Sequence, residues 1–305
     1  MSKNQRDITV SVGIPVYNEE ENISDLLKNI LSQKISSPFM LEEIIVVASG
    51  CTDKTPEIVE DMGKENNKIK LIYEKERRGK ASALNIIFQE IKSDIIILMG
   101  GDVLPRMNSL DRLIRPFDKP AIGAVSGHPI PINEPKSFAD TASCLIWDLH
   151  DLFSQERDVK LTGEFFAIRT GIIKRIFSKI NCDDALIEVL IKKKKYKIKY
   201  VRDAIVDIKG PETFKDFLAQ RRRIHSGHRQ IKQITEKSVK TTNIRENILA
   251  VTKIIKKYYK KGWFFPTILV EIIARIQGYI DFLKGNYQFI WKRIDSTKDL
   301  KRRRE

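Results

Sequence analysis

Short apolar runs set the rhythm of the N-terminal third of the chain. They fall at residues 8–14, 43–47, 69–73 and 94–98, with starts 35, 26 and 25 residues apart. Runs this rich in Ile and Val predict strands buried on both faces. Between the runs the apolar spacing changes to three and four: Leu26, Leu27, Ile30 and Leu31 after Asn22, then Ala81, Leu84, Ile87, Phe88 and Ile91. That period predicts amphipathic helices. Strands alternating with helices imply βαβ crossovers and an α/β, Rossmann-like, mostly parallel sheet with helices on both faces. Ligands of such sheets bind at the carboxyl ends of the strands.

The rhythm then loosens. Residues 122–126 and 164–168 read as strands and residues 137–154 as a helix. Residues 182–193 read as a helix opened by Asp183 and Asp184, followed by strands near Tyr200 and Val206 and a long basic helix over residues 212–234. Acids are favoured at a helix start by its dipole whatever else they do, so capping stands beside a functional role as a reading of that pair.

Three strand-end loops carry the candidate chemistry: residues 15–19, 48–53 and 99–102. None has the glycine spacing of a dinucleotide fingerprint or a P-loop, which argues against those oxidoreductases and ATPases. Asp102 follows two glycines. A carboxylate beside bare backbone suits a hard cation bridging phosphates, and it equally suits an ordinary turn.

Composition narrows the class. The chain has 305 residues, 42% of them apolar and 31% charged, so it is neither a disordered tail nor a polytopic membrane protein. Its three cysteines, Cys51, Cys144 and Cys182, are too scattered for a disulfide framework or a zinc site. Residues 1–7 are polar, so no secretory signal is expected and a reducing cytosol is. Lys and Arg exceed Asp and Glu by 55 to 40, with basic runs at residues 192–195, 221–223, 256–257, 260–261 and 301–304. The excess favours an anionic partner such as an acidic membrane or a phosphorylated substrate. Nucleic acid is not expected, because the basic runs accompany apolar segments and no nucleic-acid motif is present.

The ordered motifs PVYNEE, SGCTDKT, RRGKASALN, GGD, GEFFAIR, CDDAL and QRRRI resemble the inverting nucleotide-sugar glycosyltransferases of family two, with the GT-A fold, across residues 8–230. The resemblance implies sugar transfer from a nucleoside diphosphate, with Mg2+ or Mn2+ on the diphosphate. It assigns Pro15, Tyr17, Glu19, Ser49, Lys80, Gly101, Gln220 and Arg223 to the donor. Asp102 matches the last acid of the family's metal motif and Asp184 its general base. Gly163, Glu164 and Asp183 fall in the acceptor and sugar region. Three departures stand out: Ser49 where many relatives have an Asp for uracil, leaving UDP and GDP both open; Gly100 for the first metal acid; and Ile224 for a Trp of processive synthases. A nucleotidyltransferase of similar fold and a non-catalytic membrane scaffold are the alternatives.

The division expected is a catalytic domain over residues 1–235 and a basic, amphipathic helical region over residues 236–305. Residues 244–261 read as a helix with Lys on one face. Residues 263–283, as a helix about 32 Å long, carry Glu271, Arg275, Thr267, Gly278 and Asp281 on one narrow polar stripe. A broad apolar helix with such a stripe suits the membrane interface, or a helix docked on protein with its back in lipid; packing in a core or a dimer, and spanning, are the alternatives. The expectation is a lipid-linked or saccharide acceptor at the cytoplasmic face of the cell membrane, reached by peripheral or monotopic attachment through residues 244–283. His225 and His228, three apart on a helix, read as ordinary polar residues rather than metal ligands.

Overall fold

The computed structural model describes residues 7–156, 159–236, 262–294 and 297–298. The first half alternates as its spacing predicts: β1 (Ile8–Val16), α1 (Ile23–Ser32), β2 (Phe39–Ser49), α2 (Thr55–Glu65), β3 (Ile69–Glu74), α3 (Lys80–Glu90), β4 (Ile95–Met99). There follow β5 (Val103–Pro105), α4 (Ser109–Ile114), β6 (Ile122–Pro131), α5 (Phe138–Glu156), β7 (Phe165–Arg169), α6 (Asp183–Lys193), β8 (Lys197–Ile208), α7 (Phe214–Thr235) and α8 (Phe264–Leu283).

All the strands join one sheet in the order β3-β2-β1-β4-β7-β6-β8-β5. Strands β1 to β4 pair in parallel, which their long helical connections require. Strand β8 is also parallel to β6, so the sheet is mostly parallel as expected, but it is mixed. Strand β7 runs antiparallel to both β4 and β6, and the three-residue β5 runs antiparallel to β8. Apolar runs reveal a strand but not its direction, and three residues are too few to make a pattern. The two strands expected near Tyr200 and Val206 are a single one, β8.

Period-two burial places alternate side chains of each central strand in opposite layers. Val10, Val12, Ile14, Ile44, Val46, Ile95 and Ile97 pack beneath α1, α2 and α4. Ile45, Val47, Ile96 and Leu98 pack beneath α3 and α6. Each such side chain, fully removed from water, contributes about 1.5–3 kcal/mol. Strand β4 is buried along its whole length, so the loop after it leaves from a fixed point.

Helix α7 starts where Thr213 accepts a hydrogen bond from the Asp216 amide at 3.1 Å and its hydroxyl donates to the Asp216 carboxylate at 2.8 Å. Helix α8 lies along it. The Arg221 guanidinium donates twice to Glu271, at 2.9 Å each, and His225 Nε2 donates to the same carboxylate at 2.8 Å. Arg222 makes a second forked pair with Asp281. The polar stripe of α8 therefore faces protein. Its back is apolar and open: Phe265, Leu269, Ile276 and Leu283 are each more than half exposed. No described helix is long and apolar enough to cross a membrane. The expected helix over residues 244–261 lies outside the described residues.

Burial alone would raise Glu271, and the Arg221 charge with the hydrogen bonds from His225 and Arg221 holds it well below the usual carboxylate range. A depressed carboxylate contributes stability that is complete above the unfolded value of about 4.3 and fades only as pH falls through the folded value. Glu271→Ala leaves the Arg221 guanidinium buried without its partner. Unfolding free energy at pH 7 should fall by about 3 kcal/mol in urea titrations, whereas Leu269→Ser on the open face should change it by less than about 0.5 kcal/mol.

Candidate active site

The strand ends converge on one cavity of about 1000 Å³. Every site residue predicted from the sequence lines it: Pro15, Tyr17, Glu19, Ser49, Lys80, Gly101, Asp102, Gly163, Glu164, Asp183, Asp184, Gln220 and Arg223. The ends of β1 and β2, the loops after β1 and β4, and the first turn of α3 supply the first group. The turn before β7 and the N-terminus of α6 supply the acids opposite, and α7 lays Gln220 and Arg223 along the side.

At the α6 end, Asp184 Oδ2 accepts a hydrogen bond from the Gly163 amide at 3.1 Å, and Oδ1 accepts one from the Ala185 amide at 2.8 Å. Lys80 ties the corner together. Its ammonium donates to the Gly163 carbonyl at 2.8 Å and lies 3.7 Å from Asp183 Oδ2. Burial would lower Lys80, and the charges of Asp183, Glu164 and Asp184 outweigh it, so it remains an ammonium. Burial and then the Asp183 charge push Asp184 up to about 6. Asp183 is the more deeply buried of the two, with only 3% of its surface exposed, while Asp184 keeps an open side toward the cavity. That difference separates two acids which the sequence leaves equivalent as caps.

At the β4 end, Gly101 allows a crossing that a side chain would block: a Cβ there would sit 2.9 Å from Glu19 Cγ and 2.8 Å from Val16 Cγ1. The Glu19 carboxylate thereby comes beside Asp102. Lys298 joins them, donating to Asp102 Oδ2 at 2.8 Å and to Glu19 Oε1. Burial raises Asp102, but the Lys298 charge and hydrogen bond win and hold it below the usual range. Glu19, more deeply buried and beside that charge, is pushed up to about 7. Glu164 also rises to about 7, by burial and then by the Asp102 charge. Among the described residues no set of three or more His, Cys, Asp and Glu side chains stands in a metal-holding arrangement. Asp102 nevertheless fits a divalent cation, because its carboxylate already holds an ammonium, and Mg2+ or Mn2+ accepts few protein oxygens beside phosphate and water.

The side of the cavity lined by Tyr17, Ser49 and Arg223 contains groups that sequence reasoning missed. The Arg77 guanidinium lies 3.5 Å over the Tyr17 ring. Glu74, at the end of β3, accepts hydrogen bonds from Ser49 and, at 2.6 Å, from Ser82. A carboxylate thus stands next to Ser49, where the sequence shows none. Arg223 stacks 3.4 Å over the Trp291 ring, and its buried Nε has no hydrogen-bond partner. The Trp291 carbonyl accepts from Arg77, and Arg293 Nε donates to the Asn18 carbonyl at 3.1 Å. Arg77 sits inside a quoted motif and was findable. Trp291, Arg293 and Lys298 sit in an aperiodic stretch far along the chain, with no signal to find them by. Residues on both sides of position 235 consequently line the same cavity.

The cavity extends between α5, α7 and α8, where Leu145, Leu149, Phe153, Phe264 and Ile268 form its walls. His150 also faces it. Both its ring nitrogens are buried without hydrogen-bond partners, and burial lowers it to about 3, so the ring is neutral. His225 is engaged by Glu271, and its ring centre lies 6.3 Å from that of His228. Burial pushes the Cys51 thiol up to about 11 and raises Cys182 further, so neither is a thiolate nucleophile at neutral pH.

The sequence model described as Glycosyl transferase family 2 matches residues 11–179, more than half of the chain. The chain belongs to glycosyl transferase family 2. This family 2 chain is 34% identical over 114 residues to poly-beta-1,6-N-acetyl-D-glucosamine synthase of Staphylococcus aureus (strain COL), a match covering 37% of the chain and 26% of that relative. It is 31% identical over 129 residues to the synthase of the same name from Staphylococcus epidermidis, covering 42% of the chain and 30% of the relative. The chain therefore spans less than a third of the length of these curated relatives. Among solved structures it resembles "Mannosyltransferase PcManGT from Pyrobaculum calidifontis in complex with GDP-Man and Mn2+", with a TM-score of 0.59 at 21% identity over 95% of this chain and 82% of that one. At that identity the likeness establishes the fold, the GT-A mixed sheet with its helices.

The electrostatics of the acid corner can be read directly. In the ligand-free protein the Asp184 carboxyl carbon should titrate near pH 6 by NMR. Asp183→Asn removes a negative charge that raises it, so the midpoint should move to lower pH.

Proposed function

We propose that the enzyme transfers a sugar, with inversion, from a UDP- or GDP-sugar to a lipid-linked or membrane-proximal acceptor, with Asp184 as general base. The observation that carries this reading is the placement of Asp184: raised toward neutrality, open to the cavity, and oriented by the Gly163 amide. A base needs a value near the working pH and a fixed direction, and together these supply about two to four powers of ten. Asp184 takes the acceptor hydroxyl proton as the new carbon–oxygen bond forms, while the bond from the anomeric carbon to the diphosphate breaks on the opposite side. The departing diphosphate gathers negative charge beside Lys80 and Arg223, cations fixed before the reaction begins. Mg2+ or Mn2+, held by Asp102 and the diphosphate oxygens, would add positive charge there. The Mn2+ in the similar mannosyltransferase supports a divalent cation in this role. Gln220 and Tyr17 with Pro15 flank the donor, and Gly163, Glu164 and Asp183 border the sugar.

The acceptor reading rests on two apolar features, the α5–α8 extension of the cavity and the open back of α8. An interfacial helix buries such a face in the headgroup region, and the neighbouring basic runs attract anionic lipid. The enzyme then works at the cytoplasmic face of the cell membrane as a peripheral or monotopic protein. Leu269→Glu with Ile276→Glu should abolish flotation with vesicles containing phosphatidylglycerol. Undiminished flotation would remove α8 as the contact.

Calorimetry with UDP and GDP, with and without Mn2+ or Mg2+, tests the donor; cation-dependent binding of one diphosphate is expected. Asp184→Asn should keep that affinity and melt close to the parent, while transfer falls about a hundredfold or more. Asp183→Asn should lose far less. Parental transfer rates in both variants would overturn the mechanism. Arg223→Ala should lower kcat as well as raising KM, because the charge it meets grows as the bond breaks.

A further inference from the structure

The acids placed to receive a cation already hold one, and it belongs to the chain. The Lys298 ammonium donates to both Glu19 and Asp102, and its backbone carbonyl accepts a hydrogen bond from Asn22. The preceding stretch is tied down at several points of the donor site. Trp291 covers the face of Arg223, its carbonyl is held by Arg77, and Arg293 caps the Asn18 carbonyl. Gly79, with φ of 89°, lets the Phe289 carbonyl come within 2.7 Å of the place a Cβ would take. These contacts use the groups that a nucleoside diphosphate would need: the Tyr17–Arg77 face, Arg223 and the acid pair.

Glu19 also answers a question raised by the sequence. Gly100 stands where the family's first metal acid is expected, which leaves one carboxylate at the end of β4. With Gly101 bare of a side chain, the β1 loop delivers a second carboxylate to the same place. An ammonium and a divalent cation have the same sign and seek the same oxygens, so one excludes the other.

We propose that Glu19 is the second carboxylate of the cation site, and that Lys298 and a divalent cation compete for the Glu19–Asp102 pair. Residues 286–294 and Lys298 thus occupy the donor pocket until nucleoside diphosphate and cation together displace them. The nucleotide part rests on the glycosyl-transfer reading; the cation part does not.

The test uses the full chain and Mn2+ alone, followed by electron paramagnetic resonance of the free ion. Lys298→Met should bind Mn2+ at least tenfold more tightly than the parent. Lys298→Arg, which keeps the charge, should bind it as weakly as the parent. Adding Glu19→Gln to Lys298→Met should remove the gain. In the parent, amide exchange in residues 286–294 should quicken when GDP or UDP is added with Mn2+. A Lys298→Met protein that binds Mn2+ no more tightly than the parent, a gain that survives Glu19→Gln, or exchange unchanged by a diphosphate that does bind would each overturn the proposal. Failure of both diphosphates to bind would instead count against the donor reading and leave the Mn2+ comparison intact.

Discussion

Five carboxylates, on Glu19, Asp102, Glu164, Asp183 and Asp184, converge on one partly dry cavity, and the rest of the site is a response to that crowding. Like charges this close cannot all remain ionised away from water. The protein meets the constraint in two ways. It lets Glu19, Glu164 and Asp184 rise toward neutrality, and it threads cations between the acids: Lys80 at one end, Lys298 at the other, Arg223 alongside. Such a site is poised for a ligand of mixed sign. On the proposed reading a diphosphate would satisfy the fixed cations and a metal ion the acids, so each would favour the other's arrival.

The scaffold makes this crowding tolerable because the acids cannot drift apart. Strand β4 is enclosed along its length and leaves the sheet at a fixed point, and β7 re-enters alongside it with Glu164 at its mouth. The antiparallel β7 matters here. A parallel strand at that position would present its other end, and the Gly163–Glu164 turn would be a strand length away from Asp102. Helix α3 contributes Lys80 from its first turn, where the ammonium and the helix dipole have the same sign.

Much of this was legible in the sequence, for physical reasons that also explain what was not. The strand ends could be found because burial on both faces makes β1 to β4 continuous apolar runs, and the loops after them are then the ligand side. Asp183 and Asp184 could be placed at a helix start but told apart only by the family resemblance, since their physical difference is one of depth. Glu74 was invisible as a partner of Ser49 because pairing across parallel strands depends on register, which no local pattern encodes. Lys298 was invisible for a stronger reason. It meets Asp102 from 196 positions away, in a stretch with neither period nor motif. The polar stripe of α8 was read correctly as a stripe, but what it faced depended on which side of α7 carried Arg221 and Arg222.

Those two arginines also bear on the placement of Arg223. Successive residues on a helix are turned by about 100°, so three consecutive arginines cannot share one task. Arg221 and Arg222 are each held by two hydrogen bonds from a carboxylate on α8, which fixes the rotation of α7 about its own axis. With that rotation fixed, Arg221 and Arg223 both line the cavity, but Arg221 is taken up by Glu271 while the buried Arg223 Nε has no hydrogen-bond partner. The helix whose apolar back is open to the surroundings is therefore the same helix that sets the direction of the Arg223 guanidinium. A shift of α8 would be felt at Arg223 through two forked ion pairs, with no moving loop between them.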